Sequence, residues 1–291
     1  MSATGDSIKT MEAAEAARPS DIARPSDIAP PSDIAPPRIL GLLRRKYLAG
    51  TLSVVGGLLL WELVSRFLIA NALFLAAPSE IVVAIFHLAA SGQLWRHIGV
   101  SAAEFALGYV IASVLGIALG LAMASSATVK QAVQPWVSGL YATPTIALAP
   151  LFILWLGIGI WSKVIVVISL VLFPVTINTE AGLRTTSERL IEMLRSFGAT
   201  RRQIFFKVSL PSAVPFILAG LKLGIGRGLI GVVVAELFGS RAGLGRLISQ
   251  SADAFNMPEL FAGVVILAIA GIVLTAVFGW LEGKLVPWVR D

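Results

Sequence analysis

The chain contains no cysteine and only two histidines. Without cysteine there is no disulfide framework, thiolate nucleophile or zinc–thiolate site, and His87 and His97 stand isolated in the sequence. Charged residues are also scarce, at 14% of the chain. No Walker A loop of the form G-x-x-x-x-G-K-[ST] occurs, so we do not expect the chain to hydrolyse ATP, and we predict neither a catalytic nor a metal site on it.

Apolar residues dominate what is present. They make up 56% of the 291 residues, and the mean hydropathy is +0.85. Long apolar runs separated by short polar segments are typical of membrane helices rather than of a soluble core. We therefore predict an all-α membrane protein with six transmembrane helices, at about residues 48–69, 99–125, 132–156, 161–179, 212–238 and 259–281.

The first 37 residues differ in composition from the rest. A six-residue unit at 18–23 is nearly repeated at 24–29 and again at 30–35, and the repeats are rich in proline, serine and aspartate. Such repeats cannot build a hydrophobic core. We therefore predict a disordered tail over residues 1–37, which does not resemble a secretory signal, and a membrane domain over residues 38–291.

Basic residues are distributed unevenly between the two sides that six spans define. Outside the tail, the segments on the side of the termini hold Arg38, Arg44, Arg45, Lys46, Lys130, Arg184, Arg189, Arg195, Arg201, Arg202, Lys207, Lys284 and Arg290. The segments on the other side hold Arg96, Lys163, Arg241 and Arg246. Because cytoplasmic loops carry the excess of Lys and Arg, this bias predicts that both termini are cytoplasmic. It also explains the high isoelectric point without a nucleic-acid partner.

Small residues recur every four positions in the predicted second span. They are Gly108, Ala112, Gly116, Gly120 and Ala124. Small residues let lipid-immersed helices approach closely, so the stripe predicts tight packing on another helix rather than contact with a transported solute.

Prolines interrupt the predicted third and fourth spans. The third contains Thr143-Pro144-Thr145, and the fourth contains Pro174 followed by Asn178. A proline frees a backbone carbonyl, which a membrane tolerates where neighbours, hydroxyls or water satisfy it. Broken helices of this kind often line transport sites, and a plain kink is the alternative. Thr143, Thr145 and Asn178 are accordingly candidate pathway residues.

The predicted fifth span holds Lys222 and Arg227, with Glu236 near its far end. Charge inside a membrane is costly, so it is a functional hypothesis by default. At about 100° per residue, Arg227 falls within about 20° of Gly220, on the small-residue face of the span. We predict that Arg227 is a buried structural cation paired with Glu104 and that Lys222 lies nearer the pathway. Both are candidates for offsetting the charge of a solute.

A polar segment over residues 185–211 separates the fourth and fifth spans. Its first part has apolar residues at helical spacing, with Leu190, Leu194 and Phe197 on one face, and Gly198 then ends that helix. A second short helix follows, and Pro211 fits the first turn of the next one. A helix–turn–helix this short must dock on something, and the alternatives are its own protein or a partner.

The spacing within this segment resembles the EAA loop of ABC-importer permeases. Glu192 stands at the start of the pattern, Gly198 follows after the expected gap, and nine intervening residues separate Gly198 from Val208, which precedes Leu210-Pro211. The two alanines of the pattern are replaced by Met193 and Leu194. The resemblance implies a coupling helix that inserts into a groove of a separate ATPase, with a role for the residues Glu192, Leu194, Phe197, Gly198, Arg201 and Pro211.

The resemblance extends over most of residues 45–285. Thr143-Pro144, Trp155-Leu156-Gly157 and the segments 220–222 and 231–236 look like the permeases of the nitrate/sulfonate/taurine import group, to which bicarbonate permeases belong. This implies a type I importer permease fold in a bacterial cytoplasmic (inner) membrane. It further implies a second, identical permease copy, a cytoplasmic ATPase dimer that binds ATP and magnesium, and a periplasmic or lipid-anchored solute-binding protein.

The same resemblance implies a small anionic solute of the nitrate, sulfonate, taurine or bicarbonate type. An aromatic or vitamin-precursor solute stays open, because in such importers the binding protein largely sets selectivity. Membrane lipid surrounds the spans and no cofactor is expected on this chain itself.

Three other functions fit parts of the sequence. An ion-coupled secondary transporter needs paired ionisable groups near the midplane and usually a repeated half, which we do not find. A membrane enzyme needs a cluster of His, Cys or carboxylates, whereas Glu62, Glu104, Glu180 and Glu236 are scattered. Neither explains the loop at residues 185–211. A non-transporting assembly or sensor subunit explains the loop but accounts less well for the broken helices.

Overall fold

The structure, a computed structural model, describes residues 39–69 and 73–285, with side chains over residues 50–69 and 73–284. The predicted tail lies outside these residues, so its disorder and its boundary at residue 38 stay predictions. The chain divides into two compact units, Met1–Gly57 and Leu58–Asp291. The described part of the first unit is the beginning of the first helix, and the other described elements lie in the second.

All regular elements of the described residues are helical. Numbered along the chain they are α1 (Ile39–Leu63), α2 (Pro78–Ala90), α3 (Gln93–Ser125), α4 (Ala127–Ala142), α5 (Ala149–Leu156), α6 (Ile160–Arg184), α7 (Glu188–Ser196), α8 (Arg201–Ile204), α9 (Leu210–Gly239), α10 (Leu244–Asp253) and α11 (Met257–Leu285). Shorter turns adjoin them: a π-helical turn after α1 (Val64–Leu68), a 3-10 turn before α5 (Thr145–Leu148) and a π-helical turn between α8 and α9 (Phe205–Ser209).

Five of the described helices are long and apolar enough to cross a membrane, namely Gly50–Leu68, α3, α6, the continuous helix Arg201–Gly239 and α11. The remaining predicted span is a pair, α4 with Thr145–Leu156, which passes the same test together and is bent by 81°. The bend lies at Thr143-Pro144, because proline cannot continue a helix without losing a hydrogen bond. The predicted six spans are thus confirmed, the third as a broken helix.

Helix α6 lies at the centre of the bundle between α3 and α9. Gly108 of α3 faces Val167 and Gly120 faces Thr179, so α3 and α6 run parallel. A Cβ atom at either glycine would come within 2.6 Å of that neighbour, so only glycine permits this approach. The glycines of α9 contact α6 in the opposite order, so α9 is antiparallel. The predicted packing stripe is confirmed at the buried positions Gly108, Ala112, Gly116 and Gly120.

Short helices cover the end of the bundle where α3 and α6 begin. Helix α2 begins at Pro78, and Oε2 of Glu80 accepts a hydrogen bond from the amide of Ala77 at 3.0 Å. The short helix between the last two spans is α10. Both pack into one buried apolar cluster with α3 and α11, formed by Ala76, Ile81, Ala84, Leu88, Leu94, Leu244, Leu247 and Ala262.

Candidate coupling loop and pathway site

The turn after α7 is built around Gly198, as predicted. Gly198 has φ of +81°, a left-handed conformation that glycine adopts without strain. The amide of Ala199 donates to the carbonyl of Leu194 at 3.0 Å, and the amide of Gly198 donates to the carbonyl of Arg195 at 2.9 Å. These two bonds form a Schellman motif, which satisfies carbonyls that the end of the helix leaves without partners.

The second half of the loop begins at Thr200. Its hydroxyl accepts from the amide of Gln203 at 3.3 Å, and the Gln203 side chain accepts from the amide of Thr200 at 2.8 Å, which is a capping box. The prediction of a separate helix starting at Pro211 is wrong in part. Pro211 does lie in the first turn of α9, but the π-helical turn joins α8 to α9 without a loop. The wider turn gives the proline ring room against the residues before it.

The loop presents an apolar surface to its surroundings, flanked by charge. Phe197 is 82% exposed, Met193 is 49% exposed, and Glu192 and Arg201 are exposed as well. A cavity of about 330 Å³ beside them is lined by Leu194, Phe197, Gly198, Ala199, Gln203, Ile204, Lys207 and Val208. The structure therefore brings together three of the six predicted coupling residues, Leu194, Phe197 and Gly198, around this cavity. Glu192 and Arg201 are exposed on the same loop, and Pro211 is half-buried farther along the helix. An exposed aromatic ring beside a cavity and charges is typical of a protein-docking surface.

An ion pair fixes the helix that leads into this loop. The carboxylate of Glu180, in the last turns of α6, accepts from Lys130 Nζ at 2.6 Å and from Arg184 Nε at 2.9 Å. Lys130 lies in the first turn of α4. Spacing along α6 indicates the Glu180–Arg184 pair, since the two residues are four apart, but nothing in the sequence indicates Lys130 as a partner.

The break between α4 and α5 forms the candidate pathway site. Nη2 of Arg227 donates to the hydroxyl of Tyr141 at 3.0 Å, and the guanidinium lies 5.0 Å from the centre of the Tyr141 ring. A cavity of about 270 Å³ opens there, and its lining includes Thr143 and Thr145. Three of the five predicted pathway residues are thus brought together around a cation.

The predicted pairing of Arg227 with Glu104 is wrong, and so is the burial of Arg227. Helix α6 and Phe105 fill the packing face of α9 and leave no room there for a long side chain. The Arg227 side chain is therefore exposed, and it contacts Tyr141. Glu104 is buried and lies instead against Glu236 and Lys163.

The two other predicted pathway residues lie elsewhere. Lys222 Nζ is 3.8 Å from a carboxylate oxygen of Glu282 in α11. The Asn178 side chain donates to the carbonyl of Pro174 at 2.8 Å. A Cβ atom added to Gly220 would lie 2.8 Å from the Cβ atom of Asn178. Asn178 therefore lies at the contact between α6 and α9, and the structure does not place it with Arg227.

A buried carboxylate holds α10 at the opposite end of the bundle. Glu236 has no exposed surface; its Oε1 accepts from the hydroxyl of Ser101 and its Oε2 from the amide of Gly245, each at 2.6 Å. The amide of Leu244 donates to Ser101 Oγ at 2.8 Å, and Nδ1 of His97 contacts the backbone of Gly243. Side chains from α3 and α9 thereby cap the first turn of α10. Sequence reasoning missed this role of Glu236, because all the partners come from other helices or from backbone amides.

Comparison with known proteins places this geometry among transport permeases. Residues 112–291 match the family described as binding-protein-dependent transport system inner membrane component. The chain is 36% identical over 248 residues to the formylaminopyrimidine transport permease ThiX of Halalkalibacterium halodurans, which covers 84% of this chain and 98% of the relative. It is 34% identical over 229 residues to the aliphatic sulfonates transport permease SsuC of Bacillus subtilis, described as putative, at 79% and 83% coverage.

A solved structure also shares the fold. An inward-facing form of the MetNI methionine ABC transporter superposes with a TM-score of 0.51 at 20% identity. The match covers 69% of this chain and 96% of the other. The sequence-based prediction of an importer permease fold is confirmed by this match and by the family assignment. Among the described residues, no group of three His, Asp or Glu side chains is arranged to hold a metal ion.

Proposed function

The chain belongs to the family of binding-protein-dependent transport system inner membrane components, and from this premise we propose that it imports a small anionic solute. As a multi-pass permease subunit it forms the translocation pathway, together with a second copy of the same chain. A cytoplasmic ATPase dimer drives it and binds ATP and Mg²⁺, and an external binding protein delivers the solute. Alternating access is then a rearrangement of packed helices, with no chemistry on this chain.

The coupling role of the loop is supported by what it exposes. A partner groove that covers Phe197 and Met193 removes apolar surface from water, which stabilises the complex. Glu192 and Arg201 flank these side chains and would form charge-assisted contacts that fix the orientation of docking. The loop joins α6 directly and continues into α9 through a π-helical turn, so a displacement of the loop moves both helices.

The orientation in the membrane follows from charge. The end that carries the loop holds Lys130, Arg184, Arg189, Arg195, Arg201, Arg202 and Lys207. An excess of basic residues favours the cytoplasmic side, so we assign the loop and both termini to the cytoplasm. This places the loop on the side where ATP is available.

The proposed solute class rests on the site around Arg227. A guanidinium inside a span is retained at a cost, and its fixed donors suit carboxylate, sulfonate or phosphate groups. One Arg227 donor is used by Tyr141, and Thr143 and Thr145 line the cavity beside it. The Thr143 hydroxyl donates to the carbonyl of Gly139 at 2.9 Å, so the Thr145 hydroxyl is the candidate for a further donor. The likeness to an aliphatic sulfonates permease favours the same class.

A second candidate is a pyrimidine, which the likeness to a formylaminopyrimidine permease favours. The Tyr141 ring, 41% exposed at the cavity, offers a surface on which such a ring can stack. Uptake assays with radiolabelled taurine, an alkyl sulfonate and an aminopyrimidine separate the two candidates, since each competes only with its own class.

Co-purification tests the coupling assignment. The full chain, isolated from its native host in mild detergent, is expected to carry a Walker-motif ATPase, and Gly198→Asp is expected to remove that ATPase. Gly198→Asn is the matched control, because asparagine has nearly the same shape, tolerates positive φ and adds no charge. A chain that purifies alone and concentrates solute in liposomes without ATP is instead a secondary transporter, and the proposal is then wrong.

A further inference from the structure

A cavity distinct from the Arg227 site opens at the end of the bundle remote from the coupling loop. It lies between the first turns of α3 and α6 and the segment that follows α9, and it has a volume of about 440 Å³. Arg96 and Arg241 line it, and so do the buried residues Lys163 and Glu104. The proposed transport function assigns no role to this cavity.

The charges of the cavity divide into a buried set and an exposed set. Lys163 is 2% exposed, donates to the carbonyl of Gly159 at 2.9 Å, and lies close enough to Glu104 and Glu236 to interact with both electrostatically. The buried charges therefore compensate one another. Arg96 and Arg241 are exposed, and among the side chains described over residues 50–69 and 73–284 neither guanidinium has a hydrogen-bond or ion-pair partner. Two unneutralised guanidinium groups thus remain at the mouth.

Apolar side chains form the walls between these two charges. Val100 and Ala103 of α3 and Ile160 of α6 line the cavity. Ile158 also lines it and is 60% exposed, and Trp161, next to Ile160 in the chain, is 61% exposed. Exposed tryptophan at the end of a span is typical of the level where lipid headgroups meet hydrocarbon. The cavity therefore combines a cationic mouth with an apolar channel at the depth of a membrane surface.

We infer that this cavity binds one anionic phospholipid from the leaflet remote from the coupling loop. Its phosphate lies between Arg96 and Arg241, and one acyl chain lies along Val100, Ala103 and Ile160. Guanidinium groups bind phosphate oxygens through paired, charge-assisted hydrogen bonds, so two of them at one mouth suit a phosphate headgroup. A free solute anion lacks the chain that the apolar walls require.

Native mass spectrometry of the full chain in mild detergent tests this inference. Dioleoylphosphatidylglycerol is titrated against dioleoylphosphatidylcholine, and the first phosphatidylglycerol is expected to bind more tightly. The double variant R96Q/R241Q is expected to weaken that binding about tenfold or more, because the charge-assisted hydrogen bonds of both guanidinium groups are lost. R246Q/R66Q is the matched control, since it removes two cations that do not line this cavity. Equal binding by the two double variants would overturn the inference.

A second variant tests the acyl channel. Ala103→Trp fills the wall and keeps both arginines, and it is expected to lose the bound lipid while eluting like the native protein. If A103W retains phosphatidylglycerol, or if millimolar inorganic phosphate displaces it, the site holds a soluble anion and the lipid assignment fails. The measurement does not depend on transport, so its failure would leave the proposed import function untouched.

Discussion

Lys130 and Glu180 lie fifty positions apart in the sequence and 2.6 Å apart in space, from Nζ to Oε1. The bond joins the first turn of α4 to the end of α6. Helix α4 ends one residue after Tyr141, which contacts Arg227, and α6 leads into the proposed coupling loop, residues 185–211. One ion pair therefore connects the helix that enters the loop with the helix that reaches the candidate pathway site.

Replacing Lys130 with methionine is expected to separate ATP hydrolysis from transport. Glu180 is only 9% exposed, and leaving its carboxylate without an interhelical partner costs about 1–3 kcal/mol. Motion of the loop would then reach α4 less effectively. In reconstituted complexes, the ratio of solute imported to ATP hydrolysed is expected to fall while hydrolysis persists.

Two variants make this prediction specific to the interhelical bond. Lys130→Arg keeps a cation and is expected to restore the ratio. Arg184→Met removes the other partner of Glu180, which lies on the same helix and is largely exposed, so the connection between α4 and α6 is retained. If R184M lowers the ratio as much as K130M does, the carboxylate serves only local stability.

The contact between α3 and α6 is expected to tolerate no side chain at Gly120. A Cβ there would lie 2.6 Å from Thr179 Cβ and 2.7 Å from the carbonyl oxygen of Thr176. Gly120→Ala should therefore destabilise the fold by about 1–3 kcal/mol. Gly139→Ala in α4 is the matched control, because nothing lies within 4 Å of its Cβ position. Equal melting temperatures for the two variants would contradict the close packing.

Removing the Glu236 carboxylate is expected to release α10 before it affects the rest of the fold. Glu236→Ala leaves the Gly245 amide and the Ser101 hydroxyl without their acceptor, at about 1–3 kcal/mol for each. Hydrogen exchange of residues 244–253 is expected to accelerate selectively. Glu259→Ala, at the same end of the bundle, should leave that exchange unchanged. Uniform acceleration throughout the chain would instead indicate a global role for Glu236.

Local chemistry made several elements predictable from the sequence. The turn at Gly198 follows from glycine at the end of an amphipathic helix, and the packing stripe follows from small residues four positions apart. The broken third span follows from Thr143-Pro144, since proline removes a donor. In each case the residues that give the sequence pattern are the same residues that form the structural feature.

Long-range partners were not predictable. Helical periodicity predicted that Arg227 lies on the packing face of α9. The periodicity does not show which neighbouring side chain fills that face, and in the structure Phe105 does so. Glu236 likewise bonds to Ser101, 135 positions away. The continuation of α8 into α9 was missed because a π-helical turn has no sequence signature of its own.

The cation at the bend is expected to select anionic solute. Arg227 already donates to Tyr141, so the guanidinium is oriented before a solute arrives and less conformational entropy is lost on binding. Arg227→Gln should therefore raise the concentration of an anionic solute for half-maximal uptake about tenfold or more, because a charge-assisted hydrogen bond is lost. Basal ATP hydrolysis should stay near the native rate.

Arg246→Gln removes one cation away from the bend and is the matched control. Tyr141→Phe keeps the ring beneath the guanidinium and removes only the hydroxyl, so a smaller rise is expected. If R227Q and R246Q transport the anion equally well, Arg227 serves the packing of the broken helix and solute charge is recognised elsewhere.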